Sequence, residues 1–272
     1  MKAQISYFTG TGNSLRAAEL CRQALEAAGY ETALSEIRRG SVPDLNGFDF
    51  VGLCCPVYSL GAPRIVREFL QSLPAVSSPV RAFVLATAGD EQDVGWTVQE
   101  AKAALTAKGF DVVLADAVEM PNNWLPMSYV PTADEAAEIL ATAEAKINRA
   151  VAALLAGTRV LRPLNVEKYG RVRSAMLHGA FHRLGVRRLW FLFRTNDACN
   201  GCGKCARICP TQSISMVDGR PRWSRTCEQC LRCMNFCSLR AITQLEFLGK
   251  GSTRNHYHEP HFVPAGLEAL TD

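Results

Sequence analysis

The chain has 272 residues, 48% of them apolar and 21% charged, with a formal net charge of +4. That is enough apolar material for one large core or two ordinary ones. The opening residues Met1 to Ile5 run straight into a polar, glycine-rich stretch, and no apolar run of about 18 residues follows, which argues against a signal peptide and a membrane-spanning helix and leads to the expectation of a soluble, cytoplasmic protein. Without an export signal, eleven cysteines point to metal ligation or redox chemistry rather than a disulfide scaffold.

In chain order, short apolar runs rich in β-branched residues predict strands at 3–8, 32–37, 50–54, 82–87 and 112–118, the second being the weakest signal. Stretches rich in Ala, Leu, Glu and Arg predict helices at 14–28, 63–72, 94–108 and 132–156. Alternation of this kind predicts an α/β domain over 1–158, a parallel sheet with helices on both faces. The near-continuous apolar character of the strands agrees with burial on both sides.

Between the first strand and the first helix lies Thr9-Gly10-Thr11-Gly12-Asn13-Ser14. Backbone N–H groups in such a loop, together with the helix dipole, attract a dianionic phosphate, and the Thr, Ser and Asn side chains add donors. The loop has neither the lysine of a Walker A motif nor the G-x-G-x-x-G spacing of a dinucleotide site, so a phosphate monoester fits best. It resembles the flavodoxin phosphate loop. That resemblance spans roughly residues 1–156 and implies a doubly wound five-stranded sheet in the order 2-1-3-4-5, with FMN as the ligand.

Ligands of such sheets sit at the carboxyl ends of the strands near the switch in strand order. The loops expected there are Pro56-Val57-Tyr58-Ser59-Leu60-Gly61 and Thr87-Ala88-Gly89-Asp90. Tyr58 is expected to stack on the isoalloxazine, backbone around Gly89 to meet its pyrimidine edge, and Asn122, Asn123 and Trp124 to form a further rim. Cys21, Cys54 and Cys55 lie in apolar contexts and read as small core residues, with a redox role left open for Cys55.

Composition changes after Gly157. From 159 to 194 there are nine basic residues, Arg159, Arg162, Lys168, Arg171, Arg173, Arg183, Arg187, Arg188 and Arg194, against one acid, Glu167. Phe181, Leu184, Leu189, Trp190 and Phe191 are interleaved with them, a basic amphipathic pattern. The preferred expectation for this linker is a helix that packs its apolar side between two domains and exposes its arginines. Docking on a membrane surface or an acidic partner is the second reading.

Residues 199–237 contain the spacing C-x-x-C-x-x-C-x-x-x-C twice: Cys199, Cys202, Cys205 and Cys209, then Cys227, Cys230, Cys233 and Cys237, offset by 28 residues. This is the run that holds 4Fe-4S clusters, and in two-cluster proteins the fourth cysteine ligates the other cluster. One cluster is then expected on Cys199, Cys202, Cys205 and Cys237, the other on Cys227, Cys230, Cys233 and Cys209. Zinc needs only paired cysteines and leaves the third and fourth of each set unexplained. Pro210 follows the first set, but Ser238 stands after the second, a departure that bears on the turn near Cys237. Short strands are expected at 213–217 and 241–245. Two clusters, each carrying about −2 with its thiolates, cancel the formal +4, so charge gives no reason to expect nucleic acid.

The segment 195–248 resembles a bacterial two-cluster ferredoxin domain of α+β type, followed by a tail, 249–272. Trp223 before the second cysteine set and Arg254, Tyr257 and His258 in the tail extend the likeness, and the chain is similar to flavodoxin-like/ferredoxin-like fusion proteins. The resemblance implies FMN in the first domain and two 4Fe-4S clusters in the second. His256 and His258 lack a third ligand nearby and are assigned no metal. The function expected is transfer of single electrons between clusters and FMN and on to a partner redox protein. A reductase of a small acceptor, fed by its own clusters, is the alternative. No catalytic acid, base or nucleophile is assigned.

Overall fold

The computed structural model describes residues 1–40, 42, 45, 47–78, 80–126, 128–245 and 255–267. Its first part is a parallel sheet of β1 (Lys2–Tyr7), β2 (Glu31–Glu36), β3 (Phe50–Pro56), β4 (Arg81–Ala88), β5 (Asp111–Glu119) and β6 (Val160–Leu161), in the order β2-β1-β3-β4-β5-β6. The first five follow the 2-1-3-4-5 flavodoxin-like order expected from the sequence. The sixth is an addition to that expectation: two residues pair with Leu114 and Ala115, too short a run to show periodicity, and they carry the sheet just past the expected boundary at 158.

Helices α1 (Asn13–Ala27), α2 (Arg64–Ser72), α3 (Thr97–Ala107) and α4 (Ala133–Leu155) cover the sheet. On one face Ile5, Leu25, Phe50, Phe83, Leu114 and Ile147 pack together; on the other, Phe8, Leu53, Ile65, Phe69, Val98 and Leu105. Apolar residues on both pleats of β3 and β4 supply both cores, which is why those strands read as continuous apolar runs. A Cβ at Gly52 would come within 2.2 Å of the Phe83 ring, so glycine there makes room for that ring. Thr132 and Glu135 form a capping box that starts α4. The helix expected at 94–108 begins at Thr97 instead, because Gly95 has a left-handed φ of 55° and bridges to Asn165.

The basic linker forms α5 (Arg171–Ala180), continues through a π-helical turn at Phe181–Gly185 and ends in short helical turns to Leu192. Its buried side is narrow. His178 Nε2 lies 2.9 Å from Glu100 Oε1, and Arg67 Nη2 donates to His182 Nδ1 at 3.0 Å, fastening the helix over the loop after β3. Of the apolar residues expected to face inward, Phe181, Leu189 and Trp190 are half-buried, Trp190 packs on the core around Phe193 and Trp223, and Val186 beside them is fully buried, whereas Leu184 and Phe191 face solvent together with Val172, Met176 and Leu177. The two histidines, polar and therefore unweighted in the apolar pattern, add to the contact.

The cysteine-rich part has two small antiparallel ladders, Phe193–Thr195 with Ile242–Gln244 and Ile214–Val217 with Arg220–Trp223, and two single-turn helices, Lys204–Arg207 and Arg232–Asn235. Both expected strands are present within these pairs. Among the described residues no helix is long and apolar enough to cross a membrane.

Candidate functional site

The 28-residue sequence repeat is also a backbone repeat. Gly201, Gly203 and Gln212 have φ of 74, 70 and 50°, and their counterparts Gln229, Leu231 and Arg240 have 59, 54 and 48°. Left-handed backbone is nearly free for glycine and strained for Gln or Leu, so the second copy keeps the curl at a cost. A Cβ at Gly201 would meet the Gly219 carbonyl at 2.7 Å, which explains glycine in the first copy. Ser213 N–H donates to Cys209 Sγ and Ala241 N–H to Cys237 Sγ, each at 3.3 Å and again 28 residues apart.

Cys199, Cys202, Cys205 and Cys237 line one cavity of about 40 Å³, closed by Ile208, Phe236 and Ile242. Cys209, the fourth residue of the first set, lies within electrostatic range of Cys227, Cys230 and Cys233. The fold thus places the last cysteine of each repeat with the first three of the other. Among the described residues no three His, Cys, Asp or Glu side chains converge on a single ion.

Burial pushes the Cys205 and Cys230 thiols up to about 11, and those of Cys227 and Cys233 higher. Without metal they stay protonated at neutral pH, and iron binding must displace those protons. Gln229 N–H and side-chain amide donate to Cys227 Sγ at 3.5 Å. The indole N–H of Trp223 is buried without a hydrogen-bond partner, close enough to Cys233 Sγ to favour its thiolate. Such donors to sulfur stabilise the more negative state of a cluster.

The second cysteine set sits directly on the glycine loop. Arg232, 2% exposed, donates to Gly10 O and Thr9 O at 2.8 Å and to Ile208 O at 3.0 Å. A Cβ on Gly10 would come within 2.6 Å of the Cys230 carbonyl, so this glycine is required for the approach. Nearby, Arg64 pairs at 2.7 Å with the buried Glu228, which also accepts from Ile65 N–H; burial pushes the Glu228 carboxyl up and Arg64 opposes it. The tail closes the other side. Glu259 N–H donates to Thr11 O at 2.8 Å, Tyr257 hydroxyl donates to Asn13 Oδ1 at 2.9 Å, and Phe262 and Glu259 press on Gly12, whose φ is 107°.

These contacts take the carbonyls of Thr9, Gly10 and Thr11 and leave the amides. Gly12 N–H donates to Thr9 Oγ1, but the N–H groups of Thr11, Asn13, Ser14 and Leu15 have no hydrogen-bond partner among the described residues. They stand at the start of the 15-residue α1, which has no side-chain cap. Ser14 Oγ and Thr87 Oγ1 lie 2.7 Å apart beside them. Unpaired amides on a helix start are what a phosphate monoester requires, so the residues present fit the phosphate of FMN.

The remaining expected residues converge unevenly. Tyr58 and Gly61 close a two-residue turn with both of their mutual backbone bonds, holding Ser59 and Leu60 at φ of 47 and 66°. The Tyr58 ring meets Phe8 edge-on at 81°, and its hydroxyl sits under Gly10 beside Cys230. Pro56 and Val57 continue β3, with Val57 N–H donating to Thr87 O at 2.9 Å. Thr87 and Ala88 are buried, and Gly89 faces Asn122. Asp90 is committed to structure: it caps Gln92 N–H and pairs with Lys168 at 2.7 Å. Asn123 donates to Thr11 Oγ1, while Trp124 is exposed.

Cys21, Cys54 and Cys55 are core residues, and burial holds the Cys55 thiol up at about 12, neutral and unreactive. His258 stacks on Phe236 at 4.3 Å. Arg254 lies outside the described residues. Arg232, Glu228 and Glu259 carry no binding signal in the sequence, and Tyr257 stands out there only through the resemblance of the tail. Arg232 sits inside a cysteine spacer, yet its partners Thr9 and Gly10 are more than 200 positions away, and no local pattern carries that information.

Residues 194–215 match the family model of the 4Fe-4S binding domain. No curated protein is matched by sequence. Among solved structures, flavodoxin 2 of Bacillus cereus is similar at 18% identity and TM-score 0.41, over 56% of this chain and 98% of that one. A single-site mutant of a flavodoxin from Pseudomonas aeruginosa is similar at 19% identity and TM-score 0.40, over 58% and 98%. The flavodoxin of Streptococcus pneumoniae TIGR4 is similar at 14% and 0.40, over 57% and 99%. The strand order itself defines the first module as flavodoxin-like. Its companion is an iron-sulfur module of ferredoxin-like type.

Proposed function

We propose that the chain is an electron-transfer protein that holds two 4Fe-4S clusters and one FMN and passes single electrons between them and a partner redox protein. The observation that carries this reading is the contact of Cys230 and Arg232 with Gly10 and Thr9: a cluster-binding loop is packed on the loop that suits a flavin phosphate. Bound FMN would supply a centre that takes up one or two electrons, whereas each cluster exchanges one.

The chain's own residues provide the setting. The amides of Thr11, Asn13, Ser14 and Leu15, with Ser14 and Thr87 hydroxyls, hold a phosphate. Arg232 fixes the distance between the two loops by bridging three backbone carbonyls. The tail, through Tyr257, Glu259 and Phe262, shields the loop from water. Protein purified anaerobically should contain about eight irons and eight sulfides with one FMN per chain. About four irons, or no flavin after reconstitution, would overturn the assignment.

A further inference from the structure

The linker helix keeps a row of apolar side chains on its solvent side. Val172 is 76% exposed, Met176 68%, Leu184 54% and Phe191 49%. Val172, Met176, Ala180 and Leu184 follow one another at intervals of four along α5 and the π-helical turn, so they form one outward ridge. Arg171, Arg173, Arg183, Arg187 and Arg188 flank that ridge, and none of them is in an ion pair among the described residues. Between Glu167 and Asp197 there is no acidic residue. The inward side is held by His178 on Glu100 and His182 on Arg67, so the helix cannot roll its apolar ridge under without breaking those contacts.

We propose that this face lies on an anionic lipid bilayer, with the Val172-Met176-Leu184 ridge in the headgroup boundary and the arginines on lipid phosphates. An exposed helix with apolar ridge and basic flanks has the pattern of a segment lying flat in a bilayer interface, roughly 25 Å long here. Charge selects the occupant: an uncompensated row of arginines is drawn to anionic lipid and gains little from a neutral surface. The row of exposed apolar side chains selects it over an acidic protein surface, which would satisfy the arginines but leave Val172, Met176 and Leu184 in water. A cleft of about 350 Å³ lined by Trp190, Arg194, Arg220, Arg222 and Trp223 continues the same basic face toward Cys233. The protein would thus rest on the membrane with one cluster near the surface. This inference does not depend on which cofactors are bound.

The test is flotation of the cluster-loaded 272-residue chain with vesicles of pure phosphatidylcholine and with vesicles containing about one-third phosphatidylglycerol. Binding to the anionic vesicles at least ~10-fold tighter than to the neutral ones, falling as salt rises, is expected. The triple change Arg183→Gln, Arg187→Gln, Arg188→Gln and, separately, the double change Met176→Glu, Leu184→Glu should each lower it by ~10-fold or more. All five positions are exposed, and retention of the iron-sulfur absorbance verifies folding of each variant. Failure to bind anionic vesicles would overturn the proposal, and so would binding insensitive to the Met176 and Leu184 changes. Capture by immobilised polyglutamate without vesicle binding would overturn it in favour of an acidic protein surface.

Discussion

The two modules are stabilised by different means. The sheet module buries Phe8, Phe50, Phe83, Ile5, Leu25, Ile65, Leu105 and Ile147 completely, in two cores on either side of six strands. The cysteine module has ladders of three and four residues, a core of Phe193, Ile214, Trp223, Leu231, Met234 and Ile242 that leans on Leu125 and Val130 of the sheet module, and a smaller cluster of Ile208, Phe236 and Phe262. A segment of that size is marginal on its own. Cys227 and Cys233 are buried within its core, and Cys205, Cys209 and Cys237 pack against it. A flavin would therefore be a guest of a folded module, whereas the proposed clusters would be part of the scaffold of theirs.

Iron removal should break this comparison most visibly. After anaerobic chelation, amides between 199 and 245 should lose hydrogen-exchange protection almost entirely, while those of β1, β3 and β4 keep theirs. Uniform retention in both modules would show that the cysteine part does not depend on its metal. The joint between modules comes next. Arg232→Met leaves three buried carbonyls without their donor, and denaturant unfolding should register a loss of about 3 kcal/mol, with earlier release of the cysteine module.

A smaller effect belongs to the linker. Burial, reinforced by Arg67 and His178 and opposed by Glu100, lowers His182 to about 4 from its ordinary 6.5. The folded imidazole binds its proton more weakly than the unfolded one, so this contribution is intact above pH 6.5 and is lost progressively as pH falls toward 4. Its full size is about 3 kcal/mol, and His182→Asn should flatten the acid limb of the stability profile by that amount. The smallest change is electrochemical. Trp223→Phe removes an N–H beside Cys233 and should make one cluster potential more negative by ~40 mV, the equivalent of about 1 kcal/mol.

Periodic and repeated features are legible in the sequence. Five strands and their order, four helices and both cysteine sets follow from apolar runs, spacing and resemblance, and the 28-residue offset reappears as matching left-handed residues at Gly203 and Leu231. Features that depend on long-range contact are not. Two residues of β6 show no period, and the role of Arg232 exists only once Thr9 and Gly10 lie beside it. The linker is legible only in part: Val186 is buried and Trp190 packs on the neighbouring core, as apolar residues suggest, but the contacts of His178 and His182 carry no apolar signal. The loop position of Tyr58 suggests a stacking face, and the edge-on contact with Phe8 that orients its ring has no local signal in the sequence.

The central claim is that the clusters and the flavin form one circuit within a single chain, joined where Cys230 meets Gly10. Flash reduction of the clusters in the holoprotein, followed by the flavin absorbance, tests it most directly. The account predicts flavin reduction at a rate independent of protein concentration and slowed by Arg232→Met. A rate proportional to protein concentration would place the transfer between molecules and contradict it.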